Sequence, residues 1–393
     1  MHDAMVALER KGVETAALIH GHSRSFRTSE ETFTDGKNSF QVVRVGTLGQ
    51  FLFTPVSPAF PLHLRRLIKA FKPDVLHLHL PNPSAFWVLA LVSARRIPWV
   101  LHWHSDVVTT KQSWYVQLFH KFYRPFERAL LKRTKAIVTT SQAYCDSSIP
   151  LRPWIEKCHV IPLGVDVKRF RDKEQQERVS DTLENNSPEQ YSRKSGIAAE
   201  MLKVLAVGRL TYYKGFRYLV EAAAEAKHIH VSLVGTGDQE DYLKKLAASL
   251  GVQDRVSFLG VLTDPELARQ MSICDCLCLP SIERTEAFGM VLLEAMYFGK
   301  ATVICDVPGS GMGWIVDDGI TGIKVKPADA AALVDAFNRL SENHERLVEL
   351  GMRGKEKFHR QFEIDQAVKA LVDLYKKTTP TGSELSFNQS DHA

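Results

Sequence analysis

Apolar residues fall in short runs divided by stretches of helical spacing along most of the chain. In the first half the runs predict strands over 15–20, 40–45, 74–80, 99–104, 136–140 and 159–162, with helices over 60–71, 83–94 and 113–133 between them. In the second half strands are expected over 202–208, 230–235, 255–260, 275–280, 301–305 and 321–325. Helices are expected there over 215–227, 238–250, 264–273, 288–298, 328–341 and 343–360. Such alternation argues a parallel sheet covered by helices on both faces. It occurs twice, so an α/β chain of two doubly wound, Rossmann-like domains facing a cleft is expected. Residues 171–200, rich in Gln, Glu, Asn, Ser and Arg, read as a polar linker between domains at 1–170 and 201–360. A last helix at 361–377 carries Ile364, Ala367, Val368, Leu371, Val372 and Tyr375 at helical spacing, and that stripe needs a surface to pack on. Residues 378–393 are polar and expected to be a disordered tail.

Composition narrows the class. Of 393 residues 45% are hydrophobic and 24% charged, as in soluble globular proteins. The formal charge of +5 suits small anionic ligands or an acidic membrane surface and is too weak to argue nucleic acid. No run of eighteen apolar residues predicts a membrane span, and the first ten residues lack the regions of a signal peptide. Cys274, Cys276 and Cys278 would share one face of a strand, where cysteine acts as a small hydrophobe, and a reduced, cytoplasmic setting follows.

The most informative stretch is 281–299, where Glu286 and Glu294 flank Gly289 and an apolar, helix-forming run. Glycine lets backbone approach a ligand, and a helix N-terminus offers free N–H groups to an anion. Taken as helical rise, eight residues span roughly 12 Å, the reach of a sugar nucleotide from hexose to ribose. The same spacing also fits an amphipathic helix with two solvated glutamates. Upstream, the 207–215 segment ends a strand with Arg209 and Lys214, which could neutralise a departing diphosphate or equally be surface cations. His102, His104 and Asp106 cluster near another strand end, where His104 could donate to a sugar hydroxyl, beside the alternatives of a metal set or an ordinary core-and-surface pair. His77 and His79 alternate on a strand and read as structural. Residues 111–133 interleave aromatics with cations: either an anionic membrane surface receives them or, as the preferred reading, the aromatics face the core and the cations water. Val-Gly-Thr-Gly at 234–237 lacks the third glycine of a dinucleotide fingerprint, and no Asp-x-Asp pair is present to clamp a metal on a donor diphosphate.

The motifs Gly-Arg-Leu-x-x-Tyr-Lys-Gly, Val-Gly-x-Gly and Pro-Ser-x-x-x-x-Glu-Ala-Phe-Gly-x-x-x-x-Glu-Ala-Met resemble the retaining glycosyltransferases of the GT-B fold, more narrowly family 4 (group 1). His-Ser-Asp-Val at 104–107 and Val-Pro-Gly-Ser-Gly at 307–311 resemble members that build O-antigen and exopolysaccharide with mannosyl or rhamnosyl groups. The resemblance implies a metal-independent hexosyltransferase with no cofactor. It implies a nucleotide-diphosphate sugar donor, GDP-mannose first, and a saccharide or polyprenyl-linked saccharide acceptor in lipopolysaccharide synthesis. Catalytic roles would fall to His104 and Glu286, donor binding to Arg209, Lys214, Phe288, Gly289, Met290 and Glu294, and a sugar or acceptor contact to Asp106. The 361–377 helix would return to the first domain. A cytoplasmic location, peripheral on the inner face of the plasma membrane, is expected. Family members open with a strand and a glycine-rich loop, whereas here Met1 falls at or inside the first helix, so the first strand of the N-terminal domain is expected to be missing. A GT-B sugar-nucleotide epimerase and a non-catalytic paralogue are the alternatives.

Overall fold

The computed structural model describes residues 2–24, 27–35, 38–51, 54–107, 114–168, 170 and 201–379. The expected linker at 171–200, most of the expected tail and Lys111 lie outside the described residues. The chain divides into two compact units, Met1–Pro162 with Ile364–Ala393, and Leu163–Glu363.

The first unit opens with α1 (His2–Arg10), then β1 (Ala16–Arg24), β2 (Ser29–Asp35), β3 (Asn38–Thr47), the short strands β4 (Gly49–Phe51) and β5 (Thr54–Val56), and α2 (Phe60–Phe71). Next come β6 (Leu76–Leu80), the short helices α3 (Trp87–Ala90) and α4 (Val92–Arg95), β7 (Trp99–Trp103), α5 (Trp114–Arg133), β8 (Ala136–Thr139), α6 (Gln142–Ser147) and β9 (Cys158–Val160). The expected helix at 83–94 is broken, because Leu91 adopts an extended conformation between α3 and α4. The strands make two main sheets: β6-β7-β8-β9, all parallel, and β1-β3-β2, in which β2 runs antiparallel to β3. Among the described strands, β1 pairs only with β3 and β6 only with β7. The helix Ile364–Thr378 belongs to this unit, and its whole predicted apolar stripe is buried, packed with Ala7 and Leu8 of α1 and Val100, Ala136 and Val138 of the sheet. At about 1.5–3 kcal/mol per fully buried aliphatic side chain, that stripe is what anchors the helix.

The second unit holds β10 (Leu202–Val207), α7 (Phe216–Glu225), β11 (Ile229–Val234), α8 (Glu240–Ser249), β12 (Val256–Gly260), α9 (Asp264–Ile273), β13 (Cys276–Leu279) and α10 (Met290–Tyr297). It ends with β14 (Ala301–Cys305), α11 (Met312–Ile315), β15 (Gly322–Val325), α12 (Ala330–Glu342) and α13 (His344–Gln361). Side chains that cap start the helices: Asp329 accepts from the Ala332 N–H and Asn343 from the Arg346 N–H, while the Glu266 carboxylate accepts the Thr263 N–H at 2.7 Å. All six strands are parallel, in the order β12-β11-β10-β13-β14-β15. β13 and β14 are buried throughout, as strands covered on both faces must be. Burial holds Cys276 and Cys278 far from ionisation and pushes the Cys274 thiol up to about 12, so these are packing groups. Chain order reverses direction between β10 and β13, the position where open α/β sheets receive ligands beyond the strand ends. Among the described residues no helix is long and apolar enough to cross a membrane.

Candidate donor and sugar site

The two segments that leave the switch point are the two picked out by sequence, 208–215 after β10 and 280–289 after β13. They are stitched together: the Ile282 N–H donates to the Tyr213 carbonyl at 2.8 Å. Gly215 lies at φ 68°, and a Cβ there would stand 2.1 Å from the Pro280 carbonyl oxygen, so only glycine lets the segments approach this closely.

Lys214 and Glu286 meet across that junction. The Lys214 ammonium forms an ion pair with Glu286 Oε2, and both side chains are only 11% exposed. Ser281 Oγ donates to the same oxygen at 3.0 Å. Ser310 Oγ donates to the Glu286 carbonyl at 2.5 Å, which holds the 280–289 segment from the other side. The nearby Tyr213 phenol is pushed up, first by burial and then by the Glu286 carboxylate. Arg209, at the end of β10, is exposed.

Glu286 lies on the loop, and helix begins only at Met290, so a continuous helical rise between Glu286 and Glu294 does not hold. Gly289 is the cap residue of α10 at φ 91° and supplies no side chain, which leaves the first N–H groups of that helix without a capping side chain. Glu294 sits within α10 and is 9% exposed. Phe288 is 4% exposed and its ring meets Phe362 edge-on at 6.5 Å, so its side chain is core and only its backbone can face a ligand. Met290 is half-buried.

In the first unit, β6 and β7 place His79 directly beside His102 in register, and His77 and His104 fall on the same side. The four imidazoles stack, with His102 and His104 4.3 Å apart between centroids and 8° from parallel. His79 Nδ1 and His104 Nε2 are 2.8 Å apart, and His77 Nδ1 meets the Tyr375 hydroxyl at 2.5 Å. Burial lowers all four, His77 to about 3 and His104 to about 4, so at neutral pH the stack is uncharged. His77 and His79, which the sequence reads as structural, both lie in this stack. Two His-x-His alternations on adjacent parallel strands were the signal that could have joined them.

Ring nitrogens of His79, His102 and His104 lie within 4.8 Å of one another, close enough to ask whether they suit a metal ion. A tetrahedral zinc site needs nitrogens at about 2.0–2.1 Å with lone pairs converging on one point. His79 Nδ1 and His104 Nε2 already face each other at hydrogen-bond distance and one of the two carries hydrogen, so these nitrogens suit a hydrogen-bonded pair rather than a shared metal. Asp106 is engaged by its own unit: Oδ1 accepts from Trp103 Nε1 at 2.8 Å and from Ser148 Oγ at 2.6 Å, and its N–H donates to the Tyr144 hydroxyl.

On α5 the expected inward-facing aromatics divide. Tyr123 is buried, but Phe122 is 67% and Phe126 52% exposed, alongside exposed Leu118, Lys121, Arg124 and Arg128. The helix turns Tyr123, Glu127, Leu130 and Leu131 inward, and this leaves the next row of rings to solvent.

The family model for Glycosyltransferase Family 4 matches residues 1–169, and that for Glycosyl transferases group 1 matches 187–357. O-antigen chain mannosyltransferase C of Escherichia coli is 31% identical over 327 residues, covering 82% of this chain and 81% of that protein. D-rhamnosyltransferase WbpZ of Pseudomonas aeruginosa is 29% identical, covering 75% of this chain and 71% of that protein. Among solved structures, Anabaena HepE in complex with UDP superposes with TM-score 0.65 at 22% identity, covering 81% of this chain and 82% of that one. Two Rossmann-like units, a 3-2-1-4-5-6 sheet in the second, and both family models together show that this chain belongs to the group 1, family 4 glycosyltransferases of the GT-B fold.

Proposed function

We propose that the protein transfers a hexose, mannose first, from a nucleotide-diphosphate sugar to a saccharide or polyprenyl-linked saccharide, with retention at the anomeric carbon. The observation that carries this reading is the Lys214–Glu286 pair at the switch point, next to the uncapped start of α10. In this reading the α10 N–H groups, Lys214 and exposed Arg209 meet the diphosphate and stabilise its charge as it leaves. Glu286 accepts from hydroxyls of the transferred hexose, and Glu294 from the ribose. His104, neutral at working pH, donates to a sugar hydroxyl beside the anomeric carbon. The acceptor oxygen bonds to that carbon as the carbon–phosphate oxygen bond breaks, and the acceptor proton passes to the departing phosphate. Two cations at the switch point, the paired Lys214 and the exposed Arg209, support a course without a metal cofactor. The likeness to an O-antigen mannosyltransferase supports GDP-mannose and a place in O-antigen synthesis.

We further propose a cytoplasmic protein that touches the inner membrane face through α5, supported by its exposed Leu118, Phe122 and Phe126 among cations. Incubation with GDP-mannose and a mannosyl acceptor, followed by NMR of the new linkage, tests the reading. An α-linked product is expected. A β-linked product overturns retention, and free mannose or an epimerised nucleotide sugar formed without acceptor overturns transfer.

A further inference from the structure

Among the described residues the His104 ring has one hydrogen-bond partner, and the direction of that bond sets where its proton sits. His79 Nδ1 lies 2.8 Å from His104 Nε2, and both rings are neutral, so one nitrogen of the pair carries hydrogen and the other accepts. The rings cannot easily turn away. His102 stacks on His104 at 4.3 Å and on His79 at 5.3 Å, His77 stacks on His79 at 4.7 Å, and His77 is tied to Tyr375. His102 is 5% exposed and neither of its nitrogens has a partner among the described residues, so it serves the stack as a flat wall and offers His104 no competing bond.

We infer that His79 is the positioning residue for His104: its Nδ1–H donates to His104 Nε2, which fixes the proton of His104 on Nδ1 and leaves that N–H for the sugar. This rests on the reading of His104 as a sugar-hydroxyl donor. A ring free to place its proton on either nitrogen would present a donor only part of the time, and a ring held the other way would present a lone pair. The partner of one ring nitrogen therefore sets what the other can do, as it does for ligating and catalytic imidazoles generally.

The direct test is nitrogen NMR of histidine-labelled full-length protein, with the His104 signals assigned by their loss in His104→Asn. Wild type is expected to show protonated Nδ1 and bare Nε2 on His104. His79→Asn, whose amide can still donate, should keep that pattern and stay within a fewfold of wild-type turnover. His79→Phe should move the proton to Nε2 and lower kcat roughly 10- to 100-fold, with little change in KM for the donor. If His79→Phe does not fold, His79→Asp supplies an acceptor in place of the donor and should likewise move the proton to Nε2. Protonated Nε2 in the wild type, or a His104 pattern indifferent to every change at His79, overturns the inference. Should the pattern follow His79 while His104→Ala keeps full turnover, tautomer control stands and the role given to His104 falls.

Discussion

Lys214 lies across Gly208 and ends on the Glu286 carboxylate, so at rest it holds an anion, and under the proposed function it meets the diphosphate. Removing it leaves a carboxylate unpaired in a largely buried position, a loss of about 3 kcal/mol. Lys214→Ala should therefore lower the denaturation midpoint and weaken nucleoside-diphosphate binding at least tenfold by calorimetry; unchanged binding would refute its donor role. Glu127 offers a second residue-scale test. Burial, and next the charge of Asp106, raise its carboxyl from 4.5 to about 7. A carboxyl raised in the folded state contributes stability that is present below its unfolded value and lost as pH rises through the folded one. Glu127→Gln should thus melt higher than wild type at about pH 8 and lose most of that advantage by about pH 5, as followed by thermal denaturation. Spacing singled out Glu286, Glu294, Arg209 and Lys214, but by itself it fitted solvated side chains equally well. The pairing of Lys214 with Glu286 was not, because it depends on two loops meeting where the sheet reverses. Nor was the histidine stack, since strand register had to be known before His79 could be set beside His102.

At the scale of elements, periodicity located the parallel strands and the longer helices, but not α1, β2, β4, β5, α6 or α11. Most of these are too short or too polar to show a period. β2 reads Ser-Glu-Glu-Thr-Phe-Thr-Asp, largely polar, and is a strand because its backbone pairs antiparallel with β3 over seven residues. The break at Leu91 has neither glycine nor proline to announce it. For α5 the aromatic and basic pattern was visible, but which rings faced inward depended on the surface beneath. Its outward row gives an element-scale prediction. Replacing Leu118, Phe122 and Phe126 together by serine should abolish sedimentation with vesicles of anionic phospholipid and leave soluble transfer unchanged. Binding by the wild type should weaken as salt rises. Equal sedimentation of both proteins would remove α5 from the membrane.

At the scale of the whole chain, each unit brings its own chemistry: a charged junction at the switch point of the second, a neutral imidazole stack on the first. In the proposed course arginine, lysine and helix N–H groups meet the leaving diphosphate in place of a divalent ion. Transfer should accordingly survive a chelator, and activity lost to chelator and restored by added metal would overturn the metal-free course. Glu286 is proposed to contact the transferred sugar, and to touch the nucleotide only through its pairing with Lys214. Glu286→Gln, assayed with GDP-mannose for turnover and with GDP for affinity, tests it most directly. Turnover should fall roughly 100-fold, as for a lost transition-state contact, with GDP affinity changed less than threefold. Equal losses in both would contradict it.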